Sequence, residues 1–92
     1  MLFRSKQAVV DLQRQIDDHE KQIQQISQEQ NRIRENMRTV TQQSDYYKRL
    51  LTKLNEQETK IEKLQGERDD LVKGRDAAQK NLEDYLNNLN VE

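Results

Sequence analysis

The chain has no cysteine, no proline and no tryptophan, and only two glycines in 92 residues. Without cysteine there is no thiol catalysis, no disulfide and no zinc site of the usual structural kind. Without proline, and with glycine so scarce, nothing punctuates the chain in the way that breaks up an ordinary loop-rich domain. Aromatic residues make up 4% of the chain, and 32% hydrophobic against 36% charged is too polar for a globular core. No apolar run approaches the roughly 20 residues that cross a bilayer, so membrane insertion is not expected. The opening MLFRSKQ lacks the apolar stretch of a signal peptide. A net charge of −1 supplies no bulk field toward nucleic acid or anionic lipid.

What remains is rich in Gln, Glu, Lys, Asp, Leu, Arg and Asn, mostly good helix formers. Such a chain is either disordered or helical with one narrow apolar stripe, and periodicity decides between the two. Apolar residues step alternately by three and four through Val9, Leu12, Ile16, His19, Ile23, Ile26, Gln30, Ile33, Met37 and Val40. The stepping resumes at Tyr47 and runs through Leu50, Leu54, Gln57, Ile61, Leu64, Arg68, Leu71, Arg75, Ala78, Leu82, Tyr85 and Leu89. Each series is a heptad repeat with a and d positions on the seam, the pattern of a coiled coil.

The two series do not share a phase. Val40 is a d position, so an unbroken heptad would make Tyr47 a d position as well, whereas it begins the second series as a. Thr39, Val40 and Thr41 are consecutive β-branched residues, which weaken a helix, and Ser44 and Asp45 are good N-cap types. The spacing therefore predicts an all-α fold: an antiparallel two-helix coiled-coil hairpin with arms at 1–40 and 47–90 and a tip at 41–46. Folded this way, Val40 meets Tyr47, Met37 meets Leu50, Ile33 meets Leu54, and every a position faces a d position. Polar layers coincide too: Gln30 faces Gln57, so that one amide can satisfy the other, and His19 faces Arg68. Arg34 with Glu58 and Glu29 with Lys60 are the expected edge pairs, each worth about 0.5 kcal/mol. The arms come to about 60 Å.

The seam is stronger near the tip than toward the termini, where His19/Arg68, Leu12/Arg75, Val9/Ala78 and Ser5/Leu82 replace apolar layers. Off-seam apolar residues gather at this weak end: Phe3, Val10, Val72, Leu86 and Val91. Phe3, Val10, Val72 and Leu86 are accordingly the expected partner-binding residues. Tyr46 joins them as an aromatic at the tip, either anchoring a partner or covering the end of the seam. The open end is expected to pack on a second copy, giving a four-helix assembly, or on the rest of a parent chain.

No residue set points to catalysis, a cofactor or a metal. His19 is the lone histidine and sits on the seam, which makes it a layer residue rather than a ligand. Asp17, Asp18 and Glu20, like Asp69 and Asp70, read as solvated faces, because a catalytic acid–base pair needs a concave dry pocket. Arg68 and Arg75 are expected to lay their stems on the seam and keep their heads wet. Arg32, Arg34, Arg38, Lys48 and Arg49 make the tip mildly basic, but Glu29, Glu35 and Asp45 dilute the patch. The expected role is structural: a protein–protein interaction module with no enzyme activity and no small-molecule substrate. A parallel homodimeric spacer with a stutter near Val40 is one alternative, and a nucleic-acid-binding hairpin arm is another.

Residues 28–92 also carry QEQNRIRENM before the tip, SDYYKRLLTKLNEQETKIEKL after it, and LEDYLNNLNVE beyond. In these runs the chain resembles the C-terminal helical segment of a bacterial family of unknown function whose members include mucoidy inhibitor-like proteins. The resemblance implies β-rich domains ahead of the coiled coil, so that this chain is a fragment of a longer protein. It brings no catalytic residues with it.

Overall fold

The computed structural model describes the backbone of residues 2–89 and the side chains of residues 4–89. It consists of two helices, α1 (Leu2–Arg38) and α2 (Asp45–Leu89), packed antiparallel. The molecule measures 74 × 15 × 15 Å with a radius of gyration of 20.8 Å. A compact chain of this length would have a radius near 12 Å. The chain is therefore a rod one hairpin thick, and the uninterrupted parallel rod is ruled out by the fold-back.

The fold-back occupies residues 39–44, a little earlier than the expected tip at 41–46. Local chemistry explains the shift. The last turn of α1 tightens, with the amides of Thr39 and Val40 donating to Asn36 O and Met37 O at 3.3 and 3.4 Å. The Thr39 hydroxyl also donates to Asn36 O, at 3.0 Å, so β-branched residues end the helix with its carbonyls occupied. Ser44 then caps α2: its Oγ accepts from the Tyr47 amide at 3.1 Å and donates to Thr41 O at 2.7 Å. Asp45 in the first turn faces the positive end of the helix dipole. No described residue, glycine included, has a positive φ, so the turn is made without a glycine.

Burial follows the heptads. Each seam residue from Val9 to Val40 and from Tyr47 to Leu82 is buried or half-buried, while the intervening positions are mostly exposed. Ile16, Ile33, Leu50, Ile61 and Leu64 form the apolar core, and Gln30 is buried among them. Cross-helix contacts place the register as the phases require. Arg75 donates to Gln13 Oε1 at 2.8 Å, and a Cβ on Gly74 would lie 3.9 Å from the Leu12 methyls. The weak half is not empty of core, however. Ile16, at 2% exposure, is the most buried apolar residue of that core, although its layer lies between those of Arg68 and Arg75.

Candidate interaction surfaces

The polar layers are resolved by carboxylates on the flanks rather than within each layer. Gln30 and Gln57 share a level, but Gln30 donates to Glu58 Oε1 at 3.0 Å instead of to its neighbour. Gln57 Oε1 is left buried with no hydrogen-bond donor. A long carboxylate on the edge accepts more strongly than an amide oxygen, so it takes the Gln30 donor out of the layer.

His19 shares a level with Arg68, but its hydrogen bonds go elsewhere. Its Nε2 lies 2.9 Å from Glu67 Oε2 across the interface, and its Nδ1 lies 2.9 Å from Gln15 O one turn back. Both neighbours accept, so only the doubly protonated ring can donate to each at once. The Glu67 carboxylate, then the Gln15 carbonyl, accordingly raise the His19 pKa above its ordinary value. Arg68 turns instead to Asp69 at 3.2 Å, and Arg75 to Asp76 at 2.9 Å, each with its stem half-buried on the seam.

The two edges of the rod carry separate ion pairs. On one, Arg34 approaches Glu58 at 3.9 Å, as the register predicts. On the other, Glu29 pairs with Lys53 at 2.9 Å rather than with Lys60, one heptad further from the tip on the same edge. Lys53, through its hydrogen bond and charge, holds the Glu29 carboxyl below the usual carboxylate range, and Gln57 adds a weaker hydrogen bond. At the basic tip, Arg34 and Arg38 are each engaged by a carboxylate, Glu58 and Glu35. Among the described residues no cluster of His, Cys, Asp and Glu could hold a metal ion, and no helix is long and apolar enough to cross a membrane.

Of the residues expected to bind a partner, Val10 is 59% exposed and Tyr46 45% exposed. Val72 and Leu86 are half-buried, and the side chain of Phe3 lies outside the described residues, as does Val91. Val10, Val72 and Leu86 are strung along the Arg34–Glu58 edge of the open half, with Val10 beside a shallow groove lined by Val9, Gln13, Arg75 and Gln79. Tyr46 sits apart from them on the other edge, its ring 6.0 Å from the Arg49 guanidinium, over a groove lined by Ile33 and Leu50. Leu51, Tyr85 and Leu89 are also exposed. Leu51 has a signal that the sequence reading passed over: it follows the seam residue Leu50 and so falls on the flank, where an apolar side chain has no layer to enter.

The chain matches no protein-family model, no curated protein and no solved structure.

Proposed function

We propose that the chain is a structural protein–protein interaction module, a coiled-coil hairpin whose work is helix packing through self-association or against a longer parent. The observation that carries this reading is the imbalance between its seam and its surface. Five apolar residues are buried, while Val10, Tyr46, Leu51, Tyr85 and Leu89 stay exposed on a rod with no second layer. One stripe has to offset the ordering entropy of two long helices, which leaves such a hairpin marginal until something covers more of it. The grooves along it are shallow and open, which suits another helix better than a substrate. The likeness of residues 28–92 to a helical segment that follows β-rich domains supports a parent chain as one such cover.

The test is unfolding followed by circular dichroism over a hundredfold range of concentration, with sedimentation at each end of the range. Coupling of folding to association makes the midpoint climb with concentration by mass action. A fixed midpoint and a monomer throughout would overturn the self-associating form of this reading.

A further inference from the structure

One lengthwise face of α2 is self-complementary in charge. The edge marked by the Glu29–Lys53 and His19–Glu67 contacts changes sign at the level of Gln65. Before that level it carries Arg49, Lys53, Lys60 and Lys63 against the single acid Glu56; after it come Glu67, Asp70 and Asp84 with no base. Near the tip, Arg32, Tyr46 and Lys53 line one shallow groove of this edge, and toward the open end Gln15, Glu67 and Asp70 line another. Lys60, Lys63 and Asp70 make no ion pair among the described residues.

We infer that this face docks a second copy of the chain, side by side and antiparallel, about a two-fold axis level with Gln65. The inference rests on the reading of the hairpin as a self-associating module and names its surface. A two-fold operator in this orientation sets α2 against α2 of the second copy. Lys63 then faces Glu67 and Lys60 faces Asp70, each pair made twice. Lys53 falls opposite Ala77, Glu56 opposite Gly74 and Arg49 opposite Asn81, so no like charges meet. Tyr46 lands beside Asp84 and Tyr85 at both ends, which gives partners to two aromatics that are 45% and 39% exposed in the single chain.

The same axis crosses α1 near Gln22, where it sets Gln15 against Glu29 and brings Asp11 within one residue of the level of Arg32 of the second copy. The opposite edge fails this test, because there the nearest antiparallel registers bring Glu58 onto Asp69 or Asp76. From Tyr46 to Asp84 the helix rises about 57 Å. On a rod 15 Å wide that face offers about 850 Å², near the ~800 Å² per partner of a standard interface. Its polar character predicts association that weakens as salt rises.

The experiment is sedimentation equilibrium of the whole chain at low and high salt, beside Lys60→Glu/Lys63→Glu, Glu67→Lys/Asp70→Lys and an equimolar mixture of the two variants. Each variant alone presents one sign across the axis, so its self-association should fall about tenfold or more. The mixture restores every attraction and should recover a heterodimer, which also shows that both variants still fold. If Glu67→Lys disturbs helicity through His19, Asp70→Lys alone takes its place. A dimer indifferent to the reversals overturns this surface and leaves self-association standing. A wild-type chain that stays monomeric at low salt overturns both.

Discussion

Replacing Gln57 with Leu should stabilise the hairpin, an unusual expectation for a residue on a working seam. The Gln57 side-chain oxygen is buried with no donor near it, and an orphaned acceptor costs ~1–3 kcal/mol. Leu at that position removes the orphan and places an apolar side chain between the Leu54 and Ile61 layers. What is lost is the contact from Gln57 to Glu29, whose carboxylate keeps its stronger partner Lys53. Gln30 is unaffected, since Glu58 accepts its donor. The net gain should be about 1–2 kcal/mol. In urea, with slopes of ~1–3 kcal/mol per molar, the midpoint moves up by about 0.5–1 M at unchanged slope. Gln30→Leu is the control. Its amide is already satisfied, so the midpoint should change by no more than about 0.5 kcal/mol equivalent. A Gln57→Leu midpoint at or below wild type would show that the oxygen is satisfied in solution and that the layer carries no penalty.

The His19 bridge makes stability depend on pH. Its folded pKa lies above the ordinary 6.5, so its contribution is complete below about pH 6.5 and fades as pH rises through the folded value. With a fifth of the His19 side chain and nearly half of Glu67 open to solvent, the effect should be about 0.5 kcal/mol. An NMR titration of the ring should show a midpoint above 6.5, and Glu67→Gln should bring it down; an unmoved midpoint would remove Glu67 as the cause. Ser44→Ala strips the cap from α2 and should cost ~1 kcal/mol, seen as a lower urea midpoint and faster amide exchange at Tyr47. A Cβ at Gly66 meets nothing within 4 Å, so Gly66→Ala should gain ~1 kcal/mol from helix propensity alone. Gly74→Ala should gain at least as much, because the new methyl packs on Leu12 at ordinary contact distance; a loss of thermal stability at either site would contradict the helix geometry.

The heptads by themselves determined that this chain is helical, and the slip in phase between Val40 and Tyr47 marked a break that either a stutter or a turn would explain. The matching of polar layers across an antiparallel pair favoured the turn, and the structure shows it. Matching Gln30 to the level of Gln57 aligned the two arms, since a seam of period 3.5 leaves few ways to keep apolar layers together. Those statements depend only on which positions share a face, and backbone geometry imposes that on any sequence. The tertiary structure alone decided where long polar side chains turn. It sent Gln30 to Glu58, His19 to Glu67 and Glu29 to Lys53, where spacing had suggested Gln57, Arg68 and Lys60. It also buried Ile16 most deeply of the core in the half that looked weak. Flexible side chains of this kind have several acceptors or donors within reach at nearly equal energy, and a one-dimensional repeat cannot rank them. Only the distance and desolvation at each flank do so.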